Sequence, residues 1–127
     1  MTIEWNDCYK IGHAEIDAQH QELFDRINKF LTATDKSALM LGAMSLFQYT
    51  REHFTHEETL MRTLHYPSIA AHVKQHNDLL SRLNMVAQSI AKENLVRADL
   101  EAFLADWLFN HLATSDTKLA AYVKLQA

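Results

Sequence analysis

Apolar side chains recur every three or four positions along four long stretches of this chain, the spacing of helices that each bury one face. The third stretch is the most regular, because Ile69, Leu79, Leu83 and Ile90 fall on one continuous seam. Short connections make neighbouring helices antiparallel, so the predicted fold is all-α, an up-down-up-down four-helix bundle. The periodicity predicts its helices at roughly 17–34, 37–65, 69–93 and 96–115, before a short C-terminal tail with room for one more turn.

Residues that start or stop helices support these boundaries. Asp17 can cap the first helix, and either Asp35 or Ser37 can cap the second. Pro67 ends the second helix, because the residue before a proline is displaced from the helical region of backbone conformation. Asn94 marks the boundary between the last two helices.

The composition suits a single helical domain. The 127 residues are 48% hydrophobic and include only 2 Gly and 1 Pro, so one core can form and few strands or turns are expected. We therefore predict one domain over 1–127, made of an N-terminal arm at 1–16, the bundle at about 17–116 and the short tail.

Charge and cysteine content exclude several classes of protein. A net charge of -4 without a basic run gives no reason to expect nucleic acid as a partner. Cys8 is the only cysteine, which excludes an intrachain disulfide and a thiolate metal cluster. The N-terminus lacks the apolar region of a signal peptide, and no apolar run reaches the ~20 residues of a membrane span, so a cytoplasmic protein is expected. The unusual feature is the presence of 8 His.

The second helix directs charged and polar side chains to both of its faces. His53 and Glu57 share the apolar stripe of Leu46 and Met61, whereas His56 belongs to a mostly polar stripe. We therefore predict that His53 and Glu57 point into the core and that His56 meets water. An unpaired buried carboxylate costs several kcal/mol, and no Lys or Arg shares the inner stripe with Glu57.

The other three helices also present histidines to the core. His72 and His76 interrupt the seam of the third helix, His20 heads the apolar series of the first, and His111 continues that of the fourth. A lone inward histidine is usually a hydrogen-bonded core residue. Five inward imidazoles and the Glu57 carboxylate on four helices need one common explanation, and a bound cation would satisfy all of them.

The number of donors indicates the kind of metal site. Five histidines and one or two carboxylates exceed the four ligands of a zinc site, and they fit two six-coordinate ions bridged by carboxylates. Mixed imidazole and carboxylate ligation suits iron. The Glu-x-x-His motif of ferritin-like di-iron bundles is absent. Asp116 lies five positions after His111, about 140° away on an ideal helix, so it is either a solvated helix-end residue or a ligand brought inward by a π-bulge.

These motifs together resemble the hemerythrin family, and in particular its single-domain bacterial members. The resemblance runs from Trp5 to Asp116, nearly the whole chain. It is carried by Trp5, Gly12, IDAQH (16–20), HFTHEETLM (53–61), YP (66–67), HVKQH (72–76) and WLFNHLATSD (107–116).

The resemblance implies a left-handed four-helix bundle that holds two iron ions with a bridging oxo or hydroxo group. In that family dioxygen binds reversibly at the iron that has two histidine ligands. The pattern implies His72, His76 and His111 on one iron and His20 and His53 on the other, with Glu57 and Asp116 bridging both.

Further residues are assigned by their distance from these positions. Five apolar residues within a turn of ligand positions are candidates for the wall of a dioxygen pocket, although ordinary core packing explains each equally well: Leu23, Phe54, Trp107, Leu108 and Leu112. We expect no metal contact from His13 in the arm, from His56, or from His65, which is predicted in the last turn of the second helix. Glu58 is predicted to be a surface charge.

The leading hypothesis is a monomeric oxygen-binding protein that carries, stores or delivers dioxygen and is not an enzyme. One alternative is an oxygen- or redox-sensing module that acts through a separate protein partner. The other is a di-iron peroxidase or oxidase, against which the absence of an inward acid beyond the ligand candidates argues.

Overall fold

The computed structural model describes residues 3–126, without the side chains at positions 8, 109 and 112–114. As predicted, the fold is all-α: no strand occurs in the described residues, and a short 3-10 turn at Asp7–Tyr9 precedes the first helix. A π-helical segment, His111–Asp116, joins the last two of five α-helices. The helices are α1 Ala14–Leu31, α2 Lys36–Thr63, α3 Ile69–Ala91, α4 Arg97–Asn110 and α5 Thr117–Gln126.

The first helix begins three residues earlier than predicted, and Asp17 does not cap it. The backbone N–H of Ile16 donates to His13 Nδ1 at 3.3 Å, so His13 is the N-cap. The Asp17 carboxylate instead accepts from the backbone N–H groups of Ile11 at 2.7 Å and Gly12 at 3.3 Å. Gly12 has a φ of 88°, a conformation that glycine adopts at little cost, which lets the arm turn back onto α1.

The second helix begins at a predicted cap and ends before Pro67. Asp35 Oδ1 accepts from the backbone N–H of Ala38 at 2.8 Å, so Asp35 rather than Ser37 is the N-cap. His65 was predicted within the last turn, but it follows the helix with a φ of 54°. That left-handed residue lets the N–H of Tyr66 reach the carbonyl of Met61 at 2.9 Å and close the helix end.

The C-terminal tail forms a helix of 10 residues rather than a single turn. Leu119 of α5 is fully buried, and it packs in a cluster with Ile11, Ile16 and Met61. The Tyr122 hydroxyl donates to the carbonyl of Leu64 at 2.7 Å, which ties α5 to the end of α2.

Two apolar clusters form the core, and they leave a gap along α2. The larger cluster contains side chains from α1, α2, α3 and α4 and includes Phe54, whereas the smaller cluster includes Met61. Glu57 lies between these two positions and is fully buried. The bundle therefore encloses a polar layer between two apolar ones. No described helix is both long and apolar enough to cross a membrane.

Candidate metal centre

The seven predicted metal ligands all lie inside the bundle. Their exposed fractions run from 0% for Glu57, His76 and Asp116 to 8% for His111. They come from four helical elements: α1 supplies one histidine, α2 and α3 supply two residues each, and the π segment supplies the last two. The structure thus brings all seven side chains together, namely His20, His53, Glu57, His72, His76, His111 and Asp116.

Glu57 stands at the centre of this cluster and divides the histidines into two groups. Its Oε2 lies 3.3 Å from His20 Nε2 and 3.4 Å from His53 Nε2. Its Oε1 lies 2.6 Å from His72 Nε2 and 3.2 Å from His76 Nε2. Each carboxylate oxygen therefore faces a different pair of imidazoles, as a bridging carboxylate would.

Asp116 repeats this division from the other side of the cluster. Its Oδ2 lies 3.4 Å from His20 Nε2, and its Oδ1 lies 3.2 Å from His72 Nε2 and 3.3 Å from His111 Nε2. His111 and Asp116 can share one face because the segment between them is π-helical, and residues five apart lie one above the other in a π turn. The sequence left this point open, and the structure places Asp116 inside.

The electrostatics of the cluster follow from burying two carboxylates among imidazoles. Burial alone would raise the pKa of Glu57, but hydrogen bonds from four surrounding histidines hold it well below the usual range. Burial and the Glu57 charge act to raise the pKa of Asp116, but His111 and His72 outweigh them and lower it. Burial lowers the pKa of His72, yet Asp116 and Glu57 together raise it to about 9. The buried carboxylates and the His72 imidazole therefore stabilise each other's charged forms.

The pKa values of His20 and His53, the two histidines nearest Glu57 Oε2, shift in opposite directions. Burial lowers the pKa of His20, but Glu57 and Asp116 outweigh burial and raise it. Burial also lowers the pKa of His53, and the neighbouring His20 contributes to that direction, so the pKa of His53 stays below its ordinary value.

Unsatisfied polar atoms test whether a metal fits this site. Six buried atoms of the described side chains meet here without a properly oriented hydrogen-bond partner: Glu57 Oε1, His72 Nε2, His76 Nε2, His111 Nε2 and both oxygens of Asp116. Buried polar atoms are normally paired, so this concentration needs a further partner. Two ligands at right angles on one ion, each at about 2.1 Å, lie about 3 Å apart, close to the distances above.

The possible ligand atoms fall into two sets. In each set the atoms lie within 4.8 Å of one another, and Glu57 belongs to both. The first set holds Glu57, His72, His76 and His111, and the second holds His20, His53 and Glu57. The residues present therefore fit two adjacent metal ions that share a carboxylate.

Three side chains that the sequence did not single out as partners hold the outer nitrogens of these histidines. Gln19 Oε1 lies 2.8 Å from His53 Nδ1, and Gln75 Oε1 lies 3.2 Å from His111 Nδ1. Partners of this kind set the orientation and tautomer of metal-binding imidazoles.

Glu58 is the third of these partners, and the prediction that it is a surface charge was wrong. Its side chain is 20% exposed, and its Oε2 lies 2.8 Å from His76 Nδ1. The signal that could have found all three partners is their position, since Gln19, Glu58 and Gln75 each precede or follow a predicted ligand by one residue. Such a neighbour faces the adjacent helix, where another ligand lies.

A small cavity adjoins the second histidine group. Its volume is about 10 Å³, roughly enough for one water molecule. The ligand candidates His20, His53, His111 and Asp116 line it together with four of the predicted pocket residues, Leu23, Phe54, Trp107 and Leu108. The side chain of Leu112, the fifth, lies outside the described part of the structure. Phe54 also stacks on the His76 ring, with centroids 3.7 Å apart and an interplanar angle of 3°.

The remaining histidines lie away from the cluster. His56 is exposed, as predicted, and its Nδ1 accepts from Gln19 Nε2 at 2.6 Å. His65 is exposed after α2, and His13 caps α1.

Comparisons with known proteins agree with this geometry. The family model described as "Hemerythrin HHE cation binding domain" matches residues 12–123. The chain belongs to the hemerythrin family. A bacteriohemerythrin from Stenotrophomonas maltophilia (strain R551-3) is 31% identical over 125 residues, which cover 96% of this chain and 82% of that protein. A myohemerythrin from Theromyzon tessulatum is 27% identical over 115 residues, which cover 91% of this chain and 88% of that protein.

The hemerythrin fold is also shown by solved structures. The crystal structure of wild-type hemerythrin matches with a TM-score of 0.85 at 25% identity, covering 95% of this chain and 97% of that one. This likeness confirms the predicted four-helix bundle. Membership of the family implies a binding site for iron and, at the level of the family, the binding of dioxygen.

Proposed function

We propose that this protein binds dioxygen reversibly at a carboxylate-bridged di-iron centre and serves as a carrier, store or source of oxygen. In this proposal His72, His76 and His111 bind one iron, and His20 and His53 bind the other. Glu57 and Asp116 would bridge the two ions, in keeping with the division of their oxygens between the two histidine groups. An oxo or hydroxo group would complete the bridge.

The observation that carries the proposal is the position of the small cavity. It is lined by both histidines of the group with fewer protein donors, His20 and His53, and by one histidine of the other group, His111. It therefore lies mainly beside the two-histidine position, where an ion would have room for a further ligand. Iron supplies the electrons by which dioxygen is bound. The chain's own part is to hold the imidazoles through Gln19, Glu58 and Gln75 and to keep water out with apolar side chains.

The lining of the cavity favours a carrier over an oxidase or peroxidase. Among the described residues, the groups that face it are ligand candidates or are apolar, such as Leu23, Trp107 and Leu108. No further proton donor is therefore available there to cleave an O–O bond. A dry apolar wall also slows the escape of charged oxygen species, since charge is costly to move through an apolar medium.

The seven ligand candidates belong to one chain and to one continuous helical bundle, so the metal centre needs no second chain. We propose that the protein acts as a cytoplasmic monomer with dioxygen as its ligand.

Metal analysis and optical titration test this function. Purified protein should contain two iron ions per chain, and the reduced form should show a visible absorption change in air that reverses under argon over repeated cycles. Absence of iron would reject the metal centre. Two iron ions with an irreversible change, accompanied by substrate turnover with hydrogen peroxide, would favour the enzyme alternative. A reversible change that alters binding to a separate protein would favour the sensing alternative.

A further inference from the structure

The outer partners of the inward histidines differ in charge. Gln19 and Gln75 present neutral amides to His53 and His111, whereas Glu58 presents a carboxylate to His76. A carboxylate partner draws the Nδ1 proton of an imidazole more strongly than an amide does, and it thereby increases the electron donation of Nε2 to a metal.

Helix α2 holds His76 on three sides. Phe54 stacks on the face of the ring, Glu57 Oε1 lies 3.2 Å from Nε2, and Glu58 Oε2 lies 2.8 Å from Nδ1. His76 itself belongs to α3 and is fully buried. The stack sets the plane of the ring. The Glu58 contact selects, of the two orientations related by a half-turn about the Cβ–Cγ bond, the one that directs Nδ1 to Glu58.

The contact with Glu58 also decides the tautomer of His76. An ionised carboxylate only accepts hydrogen bonds, so in the neutral imidazole that binds a metal the proton lies on Nδ1 and the lone pair of Nε2 faces the cluster. Nε2 is one of the buried atoms without a hydrogen-bond partner in the described structure. Its lone pair is therefore aimed at the space between the carboxylates, where an ion would lie.

We propose that Glu58 is a positioning residue whose charge makes His76 the strongest imidazole donor of the centre, so that the three-histidine position binds its metal first and most tightly. This inference rests on the proposed metal centre. Two features act in the same direction there: the position has one histidine more than the other, and its His76 has the charged outer partner.

Cobalt(II) titration followed by native mass spectrometry tests this proposal on the full-length chain. The His53→Ala background removes a donor of the second position, so a single ion reports on the three-histidine position. In that background Glu58→Gln, which keeps an acceptor but loses the charge, should weaken cobalt binding about 10-fold. Glu58→Leu, which loses both, should weaken it by up to about 100-fold.

A matched control and a rescue variant separate charge from structure. Glu52→Gln removes an exposed carboxylate of the same helix and should leave cobalt affinity within about two-fold. Gln75→Glu, added to Glu58→Gln, places a carboxylate on His111 of the same position and should restore most of the lost affinity. The melting temperature of the metal-free chain should change little in Glu58→Gln, because glutamate and glutamine can both accept a hydrogen bond from His76.

The outcomes discriminate clearly. Equal cobalt affinities for Glu58→Leu and Glu52→Gln would overturn the proposal, and so would a lower metal-free melting temperature with unchanged affinity, which indicates a merely structural role. Failure of Gln75→Glu to rescue would reject charge as the cause. A wild-type chain that binds no cobalt would reject the metal centre and this inference together. A chain that loads as described but does not bind dioxygen would reject the proposed function alone.

Discussion

Replacing His53 by alanine should remove one of the two metal ions and leave the other. His53 is 2% exposed, and its Nε2 lies 3.4 Å from the Glu57 oxygen that also faces His20. After the substitution the second position retains only His20 and the carboxylates. The first position, with His72 and two further histidines, loses none of its donors. We expect the iron content to fall from two ions per chain to one.

The loss should also be visible in thermal stability. An ion that is present at 100 times its dissociation constant stabilises the folded state by about 2.7 kcal/mol. For a domain of this size that contribution corresponds to roughly 10 °C in melting temperature. The difference between the loaded and metal-free melting temperatures should therefore shrink by about 10 °C in His53→Ala. Truncating a buried side chain lowers both melting temperatures, so this cost cancels when the loaded and metal-free forms of the same variant are compared.

His56→Ala is the matched control, because it truncates the same side chain three residues further along α2. The His56 side chain is 53% exposed and contacts Gln19 rather than the cluster. We expect His56→Ala to keep two irons per chain and to change the free energy of unfolding by less than about 0.5 kcal/mol. Calorimetry and iron analysis of both variants measure these quantities. Equal losses of iron in the two variants would refute the assignment of inner and outer faces on α2.

Three further predictions concern the core, the bundle end and pH. Leu108 is 1% exposed, so Leu108→Ala should destabilise the metal-free chain by about 3 kcal/mol, measured by urea unfolding. A loss below about 1 kcal/mol would contradict this, since it would mean that the cavity wall collapses around the smaller side chain. Gly42→Ala should destabilise the folded chain by about 1 kcal/mol, because the new Cβ would lie 2.7 Å from a Phe30 ring carbon. This overpacking outweighs the gain of about 1 kcal/mol in helix propensity from glycine to alanine. A higher melting temperature for the variant would contradict this. In the metal-free chain the pKa of His72 is raised to about 9, so stability from its proton is full below about pH 6.5 and is lost as the pH rises through 9; a flat melting profile over this window would exclude it.

Periodicity predicted the inward face of α2 correctly, for a physical reason. Each residue of an α-helix turns the side chain by a constant angle, so the direction of a side chain follows from its place in the sequence. This is why His53 and His56, which look alike in the sequence, could be assigned to opposite environments. The same argument placed His72 and His76 on one seam of α3.

Residues at helix ends were less predictable. Asp17 and His13 can both cap α1, and the choice depends on where the arm lies, since Asp17 is occupied by the backbone of Ile11 and Gly12. The helix α5 is stabilised by burying Leu119 against residues distant in sequence. Such contacts form only when the bundle has assembled.

By itself the sequence determined the helices, their inner faces and a set of metal donors with an excess of histidine, because these follow from local periodicity and side-chain chemistry. Tertiary structure decided the rest. It placed Asp116 inside through a π-helical segment, divided the oxygens of Glu57 between two histidine groups, and brought Glu58 onto His76. These features depend on how helices pack against one another, which no local pattern specifies.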